Sequence, residues 1–257
     1  TWNAYNLYVG GWSYGALTIG NGSTVSVAGT FLTGYAADSG AAELTVGAGG
    51  ALNLSSGAII GNNGWTKQGG KASRDTLTVD GGTVDSSAGK IVLAANQPHA
   101  DLVLNDGTLS AKGIQFYNFS NCGTADILAF ARPDASFTQR GGTLNLGADG
   151  FIVNAFKNMN EYEPWCMARD AKPFADLVSG TLTATADFST SYGGFTAVFG
   201  AEGDPSGAYT IDLNGKTVNW LTGLAGKSDV TIQGAGKFNS VKEFKGLPTG
   251  KWTVNAN

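Results

Sequence analysis

The sequence predicts an all-β fold in which the chain winds into a parallel β-solenoid. Three observations lead to this prediction: a segment that recurs, short runs in which apolar and polar residues alternate, and glycine-rich turns between those runs. The recurring segment occupies residues 17–34 (LTIGNGSTVSVAGTFLTG) and aligns without a gap with residues 44–61 (LTVGAGGALNLSSGAIIG). Two such units in succession indicate a repeat architecture.

Each unit is predicted to contain three short strands, which in the first unit are LTI, TVSV and TFLT. Because side chains alternate between the two faces of a strand, Leu17, Ile19, Val25 and Val27 would point inward and Thr18 outward. The Gly-Asn-Gly and Ala-Gly turns between the strands tolerate the left-handed conformations of tight corners. One turn of this kind cannot bury its inward face alone, so successive turns are expected to stack.

Further copies of the unit follow along the chain. Closer copies begin at Leu77, Leu102 and Phe137, and looser ones at Tyr209 and Val230. The unit starts 17, 44, 77, 102 and 137 are 27, 33, 25 and 35 residues apart, and the extra residues fall after the third strand. We therefore expect one solenoid domain over residues 1–257, with about eight irregular coils and its loops at one corner. The longest predicted loop is residues 155–176.

Composition excludes several classes of protein. The chain is 42% hydrophobic, which is enough for a continuous core, and only 14% charged, below the usual quarter. Its net charge is −4 and it has no Lys/Arg cluster, so we expect no nucleic-acid partner. No run of eighteen apolar residues occurs, so we expect no membrane insertion.

The aromatic N-terminal segment, residues 1–16, allows two interpretations. It carries Trp2, Tyr5, Tyr8, Trp12 and Tyr14, and its NLYVGG run is similar to the TFLTGY run of the next unit. The segment could be an incomplete first coil whose aromatic residues cover the end of the stack. Alternatively, the aromatic residues form a patch that contacts another molecule.

Neither end of the predicted stack carries an obvious polar cap, although solenoids need caps for solubility. The sequence ends in another strand-like run, WTVNAN, which contains Trp252 and Val254. Because an uncovered end strand can pair with a further strand, we expect end-to-end self-association through this run and the aromatic segment. Such a head-to-tail contact does not close and would give a fibre.

Acidic residues precede the first strand of several units and would lie in one column if the units stack. These residues are Glu43, Asp101, Asp126, Asp176 and Asp229, with Asp75 one position earlier. Stacked carboxylates repel unless a cation or hydrogen bonds compensate, so they are candidate Ca²⁺ ligands or part of an acidic groove. The competing interpretation is that Asp suits turns by bonding nearby backbone N–H groups. We expect no other cofactor.

Outward threonines recur at the second position of the predicted first strands. They are Thr18, Thr45, Thr78, Thr138, Thr210 and Thr231. A flat threonine array can order water against ice, but Val103 interrupts this column and threonine is ordinary on an exposed β-face.

No catalytic signature is evident. An enzyme of this fold would need a carboxylate or basic cluster in a cleft, and we would look for one beside Trp65 or Trp165. His99 is the only histidine and is predicted to lie in a loop. Cys122 and Cys166 lack a C-x-x-C spacing, which argues against zinc, and could form a disulfide in an exported protein.

The L-T-[IV]-G and G-G-T-[LV]-x-[LV] units resemble the passenger repeats of autotransporter-like, exported bacterial surface proteins, most closely over residues 17–153. The resemblance implies a right-handed parallel β-helix and a secreted or cell-surface location. Such proteins include adhesins, matrix proteins and some enzymes. We therefore expect a non-enzymatic structural or adhesive protein that assembles head to tail into filaments, with a glycan or cell-surface ligand as a further partner. The alternative is a carbohydrate-active β-helix that binds or cleaves a polysaccharide.

Overall fold

The computed structural model describes residues 1–11, 13–34, 41–61, 74–93, 99–116, 134–153, 174–190, 196–201, 205–221, 225–240 and 250–255. These residues form twenty-one β-strands, numbered in chain order, and no helix. Eighteen strands belong to one sheet and three to another. All strand pairs are parallel, which confirms the all-β parallel class and is consistent with a β-solenoid.

Parallel pairing sorts the strands into three ladders, which we call A, B and C. Ladder A contains β3 (Gly15–Ile19), β6 (Ala42–Gly47), the first parts of β9 (Asp75–Leu93) and β10 (His99–Phe116), β11 (Asp134–Gln139), β13 (Phe174–Leu177) and β16 (Thr196–Val198). Ladder B contains β1 (Trp2–Ala4), β4 (Thr24–Val27), β7 (Ala51–Leu54), the middle of β9 and β10, the first part of β12 (Thr143–Val153), β14 (Gly180–Ala184), β17 (Ala208–Asp212), β19 (Asp229–Gln233) and β21 (Trp252–Asn255).

Ladder C contains β2 (Leu7–Val9), β5 (Phe31–Thr33), β8 (Ala58–Ile60) and the last parts of β9, β10 and β12. The three-stranded sheet follows next to β12 and consists of β15 (Phe188–Ser189), β18 (Lys216–Trp220) and β20 (Gly236–Ser240).

The predicted alignment of the first two units is confirmed by the strand register. Leu17 pairs with Leu44 and Ile19 with Val46 in ladder A. In ladder B, one apolar position of every strand stacks into a single file that we call the inward row. From one end to the other it is Trp2, Val25, Leu52, Val84, Leu109, Leu144, Leu182, Ile211, Ile232 and Val254. The residues between its two ends are all buried. The stack therefore has one continuous apolar core.

The N-terminal segment is an incomplete first coil, as the similarity of its NLYVGG run to the next unit predicted. β2 pairs with β5, which places Leu7 opposite Phe31 and Val9 opposite Thr33. β1 pairs with β4 in ladder B. In the described chain this first coil contributes strands to ladders B and C, and the first strand of ladder A is β3.

Three units differ from the prediction of three separate short strands, since β12 runs through ladders B and C without a break. β9 and β10 each run through all three ladders without a break. Their register shifts near Asp106 and between Ala111 and Gly113, at the two corners. Pairing continues around these corners because each coil follows the path of its neighbour closely enough to keep its hydrogen bonds. Elsewhere the corner is a tight turn, such as the one in which Asn21 and Gly22 have φ angles of 52° and 75°.

The late units lie in a different phase from the one predicted. Tyr209 and Val230 were expected to begin first strands, but Tyr209 pairs with Gly180 and Val230 with Tyr209, all in ladder B. First and second strands share the same pattern of an apolar residue, a polar residue and another apolar residue. Alternation alone could therefore not distinguish ladder A from ladder B.

The variable lengths of the repeat fall between a ladder C strand and the next ladder A strand. The intervening segments 35–40, 62–73, 94–98, 117–133 and 154–173 lie outside the described residues, as does most of the predicted loop 155–176. The described strands on either side belong to ladder C and ladder A in each case.

Candidate functional site

The two ends of ladder B are exposed strand edges within the described chain. β1 pairs only with β4, and β21 pairs only with β19. The inward row ends on Trp2, which is 49% exposed, and on Val254, which is 67% exposed. The apolar file that forms the core thus reaches the surface at both ends.

The aromatic residues of the first coil lie beside one of these ends. Tyr5 is 77%, Tyr8 46% and Tyr14 57% exposed. The Tyr14 hydroxyl donates a hydrogen bond to Glu43 Oε2 at 3.0 Å. Trp12 lies outside the described residues. The large hydrophobic residues exposed in the described chain are therefore all near the two ends; they are Trp2, Tyr5, Tyr8, Tyr14 and Val254.

Trp252, which the sequence placed in the same interface, packs into the core instead of projecting from the end. Its ring contacts Phe199 edge-to-face with the ring centroids 5.2 Å apart. Phe199 also packs against Tyr209 at 5.4 Å and Trp220 at 5.6 Å. Such aromatic pairs contribute packing energy beyond the area they bury. Trp252 therefore covers the C-terminal core, and Val254 is the exposed apolar residue of this strand.

The acidic candidates do not share one column. Glu43 and Asp101 lie in one row of ladder A, but Thr76 separates them. Asp176 pairs with Thr138, and Asp229 lies in ladder B opposite Ala208. Asp126 lies outside the described residues. Within the described part of the chain, no three His, Cys, Asp or Glu side chains are placed to hold a metal ion.

Several of these carboxylates bond to groups in neighbouring coils, whereas the turn interpretation predicted bonds to nearby backbone N–H groups. Asp101 accepts a hydrogen bond from Ser136 Oγ at 2.6 Å and pairs with Arg74. Asp176 accepts one from the Ala201 backbone N–H at 3.0 Å, and Asp229 one from the backbone N–H of Lys251 at 2.7 Å.

Asp75 differs from the other acidic residues because it is fully buried. Its carboxylate accepts hydrogen bonds from Thr33 Oγ1 at 2.7 Å and from the Ala42 backbone N–H at 3.0 Å. Thr33 Oγ1 in turn accepts a bond from the Gly61 N–H at 2.9 Å. This cluster joins strand ends of ladders C and A across successive coils. The sequence grouped Asp75 with the exposed acids because nothing local marks it as buried.

Burial raises the pKa of the Asp75 carboxyl above its usual value, although the bonds from Thr33 and the backbone oppose the shift. The folded chain therefore binds this proton at a higher pH than the unfolded chain does. The stability that protonated Asp75 contributes is complete below the usual aspartate pKa of about 3.9, and it is lost as the pH rises through the pKa of the folded chain.

We expect Asp75→Asn to reduce this pH-dependent fall in the free energy of unfolding, measured by urea denaturation across the acidic range. The exposed Asp85→Asn is the control, and an unchanged profile for Asp75→Asn would contradict this assignment.

The predicted threonine column is wrong in its later part. Thr18, Thr45, Thr78 and Thr138 share one outward row of ladder A, with Val103 between the last two. Thr210 and Thr231 belong instead to ladder B. There they are part of an unbroken outward file of seven threonines, which we call the threonine file. It consists of Thr83, Thr108, Thr143, Thr181, Thr210, Thr231 and Thr253. The G-T-[LV] motif at the start of several of these ladder B segments could have revealed the threonine file.

The two tryptophans that marked a possible cleft and the two cysteines lie outside the described chain. Trp65, Trp165, Cys122 and Cys166 fall in segments that the structure does not describe, and only the backbone of His99 is described. An open groove of about 290 Å³ lies between ladder B and ladder C. Its lining comprises Gly29, Thr30, Phe31, Ser56, Gly57, Ala58, Ile59, Lys90 and Val92. Among these described lining residues there is no carboxylate. Among the described residues, no helix is long and apolar enough to span a bilayer.

No protein-family model matches this chain, and neither a curated protein nor a solved structure is significantly similar to it. The resemblance to autotransporter-like passenger repeats therefore stays a prediction.

Proposed function

We propose that the chain is a non-enzymatic structural or adhesive protein of the bacterial exterior, secreted or held at the cell surface, and built as a right-handed parallel β-helix. Right-handed crossovers are favoured because a right-twisted strand returns to a parallel neighbour most easily in that sense. The observation that carries the proposal is that, among the described residues, the exposed large hydrophobic side chains lie at the two ends of the stack. In other proteins, exposed hydrophobic patches mark surfaces that contact a partner.

We assign a second copy of the chain as the partner at these ends. β1 and β21 are terminal strands of the same ladder, and neither contains a charged residue. Trp2 and Val254 occupy the same inward row. Pairing β21 of one copy with β1 of the next would continue both the hydrogen-bonded ladder and the apolar core. The contact is heterologous and would propagate as a filament.

Sedimentation velocity over a range of concentrations, with negative-stain imaging, tests this assembly. We expect the wild-type chain to associate and Val254→Asp to weaken association at least about tenfold, because a carboxylate would replace an apolar contact; tenfold corresponds to about 1.4 kcal/mol. The control is Thr78→Asp, an outward position on β9 in the interior of ladder A. A wild-type chain that stays monomeric at high concentration, or equal loss in both variants, would contradict the end-to-end contact.

A carbohydrate-active β-helix is the alternative, and a glycan panel separates the possibilities. Saturable binding without turnover would support an adhesin, whereas turnover would support an enzyme. The groove at Phe31, Ile59 and Lys90 gives the enzyme less support, because polysaccharide hydrolysis ordinarily needs paired carboxylates.

A further inference from the structure

The outer face of ladder B carries two parallel files of hydrogen-bonding side chains. The first is the threonine file, in which Thr24 also lies beyond an interruption at Ala51. The second is two residues further along each strand, and we call it the polar file. It consists of Asn3, Ser26, Asn53, Asp85, Ser110, Asn145, Thr183, Asp212, Gln233 and Asn255. Neither file contains a Lys, Arg or aromatic residue.

The two files point away from the core. The residue between them on each strand belongs to the inward row, as Leu144 does between Thr143 and Asn145. Leu144 is fully buried, whereas both of its neighbours are partly exposed. From Thr83 to Thr253 the pairs that form the files run without a register shift, so both positions recur at every rung; threonine fills one of them throughout, and mixed polar residues fill the other.

Part of this face is restrained before any partner binds. Threonine is β-branched, so its χ1 angle has few accessible rotamers. In the polar file, Asn145 Nδ2 donates to Ser110 Oγ at 3.1 Å, and Asn53 Nδ2 donates to Ser26 Oγ at 3.4 Å. A surface with fixed hydroxyl and amide groups loses little entropy when it orders a partner.

Along each file, the spacing from rung to rung is close to the second-neighbour distance of a tetrahedral water lattice. Adjacent strands are about 4.8 Å apart, and side chains two residues apart are separated by about 6.7 Å. With O–H···O distances of about 2.75 Å and tetrahedral angles, second-neighbour waters are about 4.5 Å apart. The mismatch of about 0.3 Å per rung reaches about 1.8 Å over the six intervals of the threonine file. The threonine file therefore stays in register with the water lattice over a few rungs at a time.

We propose that the outer face of ladder B, formed by the threonine file and the polar file, is an ice-binding surface. A surface that repeats by translation matches a partner that also repeats by translation, and ice is such a partner for hydroxyl groups at this spacing. A second copy packed face to face fits less well, because Asp85 and Asp212 would be brought towards like charges. The absence of aromatic residues from the files removes the stacking contacts that sugar rings commonly use.

Ice-affinity partition and thermal hysteresis test this assignment on the intact chain. We expect the wild-type chain to enter a slowly growing ice hemisphere and to depress the freezing point below the melting point. Thr143→Tyr places a bulky ring at the centre of the threonine file and should lower partition about tenfold, because a gap forfeits close contacts on either side. Thr210→Tyr is a second variant of the same file. The matched control is Thr45→Tyr on the outward row of ladder A.

Circular dichroism establishes that each variant keeps its β-structure before partition is measured. Loss of partition in the two ladder B variants, with the ladder A control unchanged, supports the assignment. A wild-type chain that is excluded from ice overturns it, and so does equal loss in the Thr45→Tyr control. The ice test can succeed or fail independently of end-to-end association. Val254→Asp alters only the end of the stack and leaves both files intact.

Discussion

Leu144→Asp is expected to abolish the folded state at neutral pH. Leu144 is fully buried at the centre of the inward row of ladder B, between Leu109 and Leu182. An aspartate there would be a carboxylate without a partner in an apolar core, which costs several kcal/mol beyond the lost hydrophobic burial. Domains are stable by only about 5–15 kcal/mol, so one such change can remove most of that stability. Circular dichroism with urea denaturation measures the effect.

The control for this variant is Asn145→Asp, the same change one residue later. Asn145 points outward in the polar file and is partly exposed, so we expect a loss of at most about 1 kcal/mol from its bond to Ser110. If the two variants were equally stable, the inward and outward assignment of ladder B would be wrong.

Gly107→Val should cause the second largest loss of folding stability, after Leu144→Asp. Gly107 has a φ of +90° and lies at the corner between the ladder A and ladder B parts of β10. A β-carbon there would overlap the carbonyl oxygen of Gly82 in the neighbouring coil and lie 2.9 Å from the Gly82 backbone nitrogen. The backbone strain and the steric overlap each cost about 1–3 kcal/mol. We expect a drop of several degrees or more in Tm, measured by thermal denaturation.

Gly22→Ala measures the cost of backbone strain without steric overlap between coils. Gly22 has a similar φ of +75°, but a β-carbon there would have no neighbour within 4 Å. It should therefore cost only about 1 kcal/mol, from the left-handed conformation alone. Equal losses at the two glycines would show that the coils are not packed as closely as the contact at Gly82 implies.

The sequence predicted the rows of the core well because burial imposes alternation. Leu17 over Leu44 and Val25 over Leu52 follow directly from the gap-free alignment of the first two units. The incomplete first coil was also predictable, since its NLYVGG run repeats the pattern of the next unit. These features depend only on which face of a strand is buried.

The assignment of late strands to ladders could not be predicted from alternation. The strands at Tyr209 and Val230 carry the same pattern as first strands, and only pairing with Gly180 reveals that they belong to ladder B. The threonine file was missed for this reason. Its members are spread over strands that the sequence assigned to different positions in the repeat.

Buried polar residues were the other feature beyond the reach of the sequence. Gln139 follows Leu104 in an apolar row of ladder A, and its Oε1 accepts a hydrogen bond from the Tyr209 hydroxyl at 2.7 Å. Gln139 Nε2 donates to the carbonyl oxygen of Thr181 at 3.2 Å. Burial raises the pKa of Tyr209 well above its usual value, which keeps the hydroxyl a donor. Partners 42 and 70 residues away cannot be read from local patterns.

The central claim is that successive coils stack in register along one axis, and distances between spin labels on the polar file test it most directly. One label would be placed at Asn53→Cys and the second at Thr183→Cys, Asp212→Cys or Gln233→Cys, with Cys122 and Cys166 replaced by serine. These pairs are four, five and six rungs apart along ladder B. A stacked column predicts distances of about 19, 24 and 29 Å, rising by about 4.8 Å per rung. Distances that do not rise with the number of rungs, as in antiparallel hairpins folded into a sandwich, would contradict the account.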